Sequence, residues 1–335
     1  MKKAGNEFVK NLHYLCLAGV IALGLLTIIA TGDGGGGGGG GSAGISYSGI
    51  TDPAPIDDDN AEDLAVGAYE GGRLGGAIGA LGVVQPVSNV GYSRVVQISQ
   101  ILGGSLHQVD FMSRSEETFI GAIYTETGTI YGNCGGSASY SVSVNDQTGD
   151  FSGSLSFSSY CEDGVTISGA VSFSGKVDLV TEELLRFSLS FSTLSGTSGG
   201  DCFTLHGTIT TDLTVYPYVM TVSMLVRDNS TGKVYWVKDY TMIVTEEATY
   251  IEVDLSGTYY DPDYGYITFE TTVPFRIYYG DDVPSDGVLV ATGETGSEGG
   301  PTMARLTVLD STTYQVEADT NGDGTYDWDS GILYW

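Results

Sequence analysis

The chain has 335 residues with 42 Asp or Glu against 13 Lys or Arg, a formal charge of −29, together with 50 glycines, four cysteines and three histidines. So acidic a surface repels nucleic acid and anionic membrane, which leaves cations, basic proteins and neutral glycans as expected contacts. Three histidines and the absence of an H-E-x-x-H, a paired CxxC, a Walker loop or an assembled triad leave no catalytic residue and no cofactor-binding residue to nominate, so the chain reads as non-enzymatic.

Residues 1–32 read as a signal peptide. Lys2, Lys3 and Lys10 precede an apolar run from Tyr14 to Ala30, and the small residues Ala30 and Gly32 suit cleavage after Gly32. Cys16 sits too early for a lipoprotein, with Asp33 at the position a lipidated cysteine would need. An uncleaved membrane anchor is the other reading of this segment, and the only membrane contact expected. In either case the remainder is exported, to the periplasm, the cell surface or the medium. Residues 33–58 form a glycine-rich linker whose unbroken tract, Gly34 to Gly41, buries no side chain and serves as a tether. The G-x-S-x-G match at Gly40 to Gly44 follows no strand and opens no helix, so it carries no nucleophile reading.

Residues 59–115 are expected to be a small helical and loop segment. Asp59 with Glu62 three residues on suggests a capped helix from Asn60 to Tyr69, stopped by Gly71 and Gly72. Residues 73–114, which include His107, carry no clear period.

From 116 to 335 apolar residues fall on alternate positions. Val171 and Phe173 alternate with Ser172 and Ser174; Leu185, Phe187, Leu189 and Phe191 alternate with Arg186, Ser188, Ser190 and Ser192. Period two predicts half-buried strands, and short turns such as NDQTG, CEDG and RDNSTG make neighbours antiparallel, about a dozen strands in all. The expected fold is mainly β, an antiparallel meander forming a large sheet or a β-sandwich, with a short N-terminal helical segment.

A hairpin folded about Gln147 and Thr148 sets Tyr140 against Leu155, Val144 against Phe151 and Ala138 against Phe157. The same register brings Cys134 opposite Cys161, predicting a disulfide worth ~3 kcal/mol unless a bulge at Gly135-Gly136 shifts it. Cys202 and His206 then lie on the polar face of a later strand. Four positions along a strand span ~13 Å, too far for a nucleophilic dyad.

Near the C-terminus DTNGDGTYDWD places Asp319, Asn321, Asp323 and Asp327 around Gly324 in the spacing D-x-N-x-D-G-x-x-D, with oxygen side chains at alternate positions and glycine at the sharp turn. The loop resembles the calcium loops of EF-hands, dockerins and thrombospondin type 3 repeats. That resemblance implies a structural calcium held by Asp319, Asn321, Asp323, Thr325 and Asp327, with Asp329 serving where Ser330 replaces the usual glutamate, and with a dissociation constant of about 0.1 to 1 mM. A solvated NGDG hairpin turn is the plainer reading.

The poly-glycine tract after a signal sequence, the YSGITDPAPI and NAEDLA stretches and the closing DTNGDGTYDWDSG resemble uncharacterised exported β-rich proteins of Gram-negative bacteria, a resemblance that implies location and no activity. The function expected is therefore a structural or adhesive cell-envelope protein whose exposed Ser and Thr rows meet an unknown protein or glycan. The alternatives are an outer-membrane β-barrel, for which the alternation and the Leu333-Tyr334-Trp335 ending speak, and a secreted hydrolase built on paired carboxylates.

Overall fold

A computed structural model of the chain describes residues 44–79 and 123–335, apart from 163, 181–183, 199–200, 280 and 282. The signal segment, the glycine tract, His107 and residues 80–114 lie outside the described residues. One helix, α1 (Ala61–Gly79), precedes fourteen strands: β1 (Ile123–Tyr131), β2 (Gly135–Asn145), β3 (Asp150–Glu162), β4 (Val165–Val177), β5 (Leu184–Ser198), β6 (Asp201–Asp212), β7 (Tyr218–Asp228), β8 (Val234–Glu246), β9 (Tyr250–Asp261), β10 (Gly265–Tyr278), β11 (Asp286–Thr295), β12 (Pro301–Asp310), β13 (Thr313–Asp319) and β14 (Trp328–Tyr334). Each strand pairs antiparallel with the next in sequence, from β1 at one edge to β14 at the other, in a single open sheet. Of the two forms expected, a large sheet and a sandwich, the chain adopts the first.

Alternation decides which face is which. Phe151, Leu155 and Phe157 on β3, Val171 and Phe173 on β4, and Phe187, Leu189 and Phe191 on β5 are buried, while the serines between them are exposed or half exposed. Glycine makes room for the largest of these rings: Phe173 lies over Gly153 and Phe151 over Gly175, across the β3–β4 ladder. Such pairing covers a glycine backbone that would otherwise face open space.

The far half of the sheet buries its apolar face against α1, which packs on β6 to β9 and on β11 to β13. On a flat sheet β6 and β13 stand ~34 Å apart, and a 19-residue helix is ~28 Å long, so the helix runs across the strands. Small side chains permit the close approach. Ala291, Ala304 and Ala318, all fully buried, stand in one cross-strand row on β11, β12 and β13. On the helix, a methyl group added at Gly67 would come within 2.6 Å of the Tyr259 ring, one at Gly71 within 2.9 Å of Val237 and one at Gly72 within 2.8 Å of Leu255.

These glycines correct the expected helix end. The helix continues through Gly71 and Gly72 to Gly79, because these residues serve close helix-to-sheet contact and adopt no left-handed cap. Its start differs too. Asp57, two residues before the expected cap, exchanges hydrogen bonds with Asn60: the Asn60 amide donates to Asp57 Oδ1 at 3.1 Å and the Asp57 amide to Asn60 Oδ1 at 3.1 Å. That reciprocal pairing satisfies two amides at a helix start, as a capping box does. The C-terminal residue closes the far side, where Trp335 stacks on Tyr314 at 4.4 Å and on Tyr69 of α1 at 5.0 Å.

Candidate functional site

The acidic loop joins β13 to β14. Asp319 is fully buried and organises the turn: its Oδ1 accepts the amides of Gly322 at 2.7 Å and Asp323 at 3.3 Å, and its Oδ2 accepts that of Gly324 at 2.7 Å. Gly322 and Gly324 hold φ values of 80° and 85°, a left-handed backbone that glycine adopts at no steric cost. The other predicted ligands engage the loop itself. Asn321 Oδ1 accepts the Asp323 amide at 2.9 Å, Asp323 Oδ1 the Thr325 amide at 2.7 Å, Asp327 Oδ1 the Thr320 amide at 3.1 Å and Asp329 Oδ1 the Gly331 amide at 2.6 Å. The bonds from Thr320 hold the Asp327 carboxyl below its usual range, and those from Gln315 and Gly331 do the same for Asp329. The β11–β12 turn leans on this loop, with Glu298 and Gly300 amides donating to the Asn321 and Gly322 carbonyls. Among the described residues the one acidic trio whose oxygens lie within 4.8 Å of one another is Asp57, Asp58 and Asp59, all exposed, before α1. The loop's acids are thus turned toward amides, and a cation there would have to exchange some of those bonds for its own.

The disulfide forms between the expected partners. Cys134 and Cys161 are bonded with their Cα atoms 5.1 Å apart. The β2–β3 ladder has the predicted register, Val144 to Phe151, Tyr140 to Leu155 and Ala138 to Phe157. At its open end a bulge places Gly135 opposite Cys161, so the bridge runs diagonally, and the Cys134 amide donates to the Cys161 carbonyl at 3.2 Å. Such a bond is consistent with an oxidising compartment. Cys202 carries a free, half-buried thiol, and His206 Nδ1 lies 2.8 Å from the Ser192 carbonyl on β5, so no dyad is assembled.

The sheet face turned away from the core is polar over many strands. The cross-strand register aligns hydroxyls into rows. One runs across nine strands: Thr125, Ser143, Ser152, Ser174, Ser188, Thr210, Thr221, Thr241 and Ser256. A second, two residues along, crosses seven: Thr127, Ser141, Ser154, Ser172, Ser190, Thr208 and Ser223. All sixteen side chains are exposed or half exposed. Some bond to each other, as Thr125 and Ser143 do at 2.8 Å and Thr210 and Thr221 at 2.6 Å. Eight serines of β2 to β5 line a shallow hollow of about 440 Å³ on this face. Beside the longer row, on β3 to β6, charges pair across strands, Lys176 with Asp150 at 3.5 Å and Arg186 with Asp212 at 2.9 Å. Sequence alternation announces Ser and Thr on this face; their alignment across strands emerges only when every hairpin register is chained to the next.

Among the described residues no helix is long and apolar enough to cross a membrane. No protein-family model, curated protein or solved structure matches the chain.

Proposed function

We propose that the chain is an exported, non-enzymatic protein of the cell envelope, structural or adhesive, that makes contact through the hydroxyl face of its sheet. The observation that carries this reading is the pair of Ser/Thr rows, in register over seven and nine strands, on the face opposite an apolar one. An enzyme gathers nucleophiles and acids with shifted protonation in a cleft. Here the hydroxyls are spread along an open face, and among the described residues the hollow on it is lined by serines with Gly153 and Phe173 and by no carboxylate, which favours contact over hydrolysis. A membrane barrel needs an apolar outward band flanked by aromatic girdles. The outward positions of β2 to β6 carry mostly Ser, Thr and paired charges, with Ala170 the one apolar aliphatic among the described residues there, which favours the envelope protein over the barrel.

The reading includes a structural calcium in the β13–β14 loop, supported by the left-handed glycines 322 and 324 and by the oxygen side chains at 319, 321, 323 and 327. Binding would trade the amide bonds of Asp323 and Asp327 for metal bonds and pin the last hairpin to the sheet.

Fractionation of a Gram-negative host expressing the tagged full chain tests the assignment. The expected product is extracytoplasmic, recovered without detergent and oxidised at Cys134 and Cys161. A reduced cytoplasmic product overturns it, as does a product that needs detergent for release although its N-terminal segment has been cleaved.

A further inference from the structure

The acidity of the chain makes its hydroxyl face unusual. Although the chain carries 42 carboxylates, neither row holds a charged side chain; beside them Lys176 pairs with Asp150 and Arg186 with Asp212, and Lys238, Asp239 and Asp254 on this face lie beyond β7, on β8 and β9. A partner recognised by charge would find nothing to pair with here. A partner that offers neutral hydroxyls would find donors and acceptors at every step, since each Ser or Thr presents one O–H and two lone pairs.

Spacing narrows the chemistry. Neighbouring strands repeat at ~4.8 Å, close to the length of one unit in an extended pyranose chain, and the two rows stand ~6.8 Å apart, about the width of such a ring. A sugar chain laid across the strands between the rows would meet a hydroxyl on each flank at each unit. The hollow on β2 to β5 is a shallow trough, not an enclosed pocket, and suits a polymer that enters and leaves at both ends. The twist excludes a rigid flat partner. Strands rotate by ~20° from one to the next, so a nine-strand row turns through ~160°. A single flexible chain follows that turn, whereas a crystalline surface touches only a few strands.

We infer that the two hydroxyl rows bind one extended chain of a neutral polysaccharide, running across β1 to β7 perpendicular to the strands. The inference rests on the proposed envelope role and names the partner class for the same face. Each hydroxyl exchanges water for sugar at little net gain, so affinity comes from many weak contacts in register. Binding is therefore insensitive to salt and sensitive to any charge placed in the rows.

The test is native affinity electrophoresis of the full secreted chain through gels holding hydroxyethylcellulose, galactomannan or dextran, with alginate as an anionic control. The wild type is expected to be retarded in at least one neutral gel, equally at low and high salt. Ser172→Glu with Ser190→Glu should weaken that retardation about tenfold or more, and Ser172→Ala with Ser190→Ala by less. Ser297→Glu, on the exposed β11–β12 turn, should leave it unchanged. Melting curves matching the wild type show that the variants are folded, and sedimentation with microcrystalline cellulose should leave the protein in the supernatant. No retardation in any neutral gel, retardation only in alginate, equal retardation of the Ser172/Ser190 glutamate variant, or cosedimentation with crystalline cellulose overturns the inference. The envelope assignment survives those outcomes and fails separately, if the chain is found reduced in the cytoplasm.

Discussion

At the residue scale the loop acids divide by burial. Asp319 is fully buried and accepts three amides, whereas Asp323 is exposed and accepts one. Asp319→Ala strands those amides and is expected to cost about 3 kcal/mol in urea denaturation in EGTA, and more in calcium, where a metal ligand is lost as well. Asp323→Ala should cost under about 1 kcal/mol in EGTA and should abolish a calcium-dependent rise in Tm. Equal melts of the wild type in calcium and in EGTA would reduce the loop to a hydrogen-bonded turn. Gly67 is limited by contact, and Gly67→Val, pressed on the Tyr259 ring, should destabilise the fold by about 2 kcal/mol. Glu70 of α1 is nearly buried, and burial raises its carboxyl above the ordinary range despite the Arg73 guanidinium 3.0 Å away. With the folded value raised, the folded chain binds a proton more readily than the unfolded one. Glu70 therefore lowers stability as pH rises from ~4.5 through its folded value. In Glu70→Gln the decline of Tm over that window should be shallower; an unchanged slope would place the titration elsewhere.

At the element scale the β2–β3 hairpin shows what sequence makes legible. Its register follows from one turn and from apolar residues meeting across it, so the Cys134–Cys161 pairing is readable before any coordinates. Cys134→Ser with Cys161→Ser should cost ~3 kcal/mol and raise hydrogen exchange at the open end of that hairpin first. The helix shows the opposite case. Gly71 and Gly72 resemble a stop when read along the chain, and their meaning is set by Val237 and Leu255, residues far away in sequence. The hydroxyl rows lie between these cases. Each SxS pair is local, but the alignment depends on every intervening register and on where bulges fall, as at Ser192 and around Ser159, where φ is 48°. Those bulges fall beyond the two rows, which is why the rows stay continuous across β3, β4 and β5.

At the scale of the whole molecule, the chain builds one long sheet whose two faces have different tasks. The inner face buries Phe, Leu, Ile and Met, and across β6 to β9 and β11 to β13 it is packed by α1. The outer face concentrates hydroxyls on β1 to β9 and ion pairs such as Arg276 with Glu252 and Arg305 with Glu317 on β9, β10, β12 and β13. Period two makes this division legible in sequence, because a polar residue at every second position leaves the strand no other way to fold. Composition alone does not tell an open sheet from a sandwich; that choice depends on how neighbouring strands join and on where the helix lies.

Face-specific thiol labelling tests the central claim most directly. In a Cys16→Ser, Cys202→Ser background, with Cys134 and Cys161 left bonded, one free cysteine is placed at Ser172 or at Val171, adjacent residues on opposite faces of β4. Cells with a permeabilised outer membrane and an intact inner membrane are then treated with a maleimide that cannot cross the inner membrane. The account predicts rapid labelling at position 172 and labelling at 171 only after denaturation. Labelling of both positions, of 171 alone, or of neither until the inner membrane is broken would contradict an exported sheet with a free hydroxyl face.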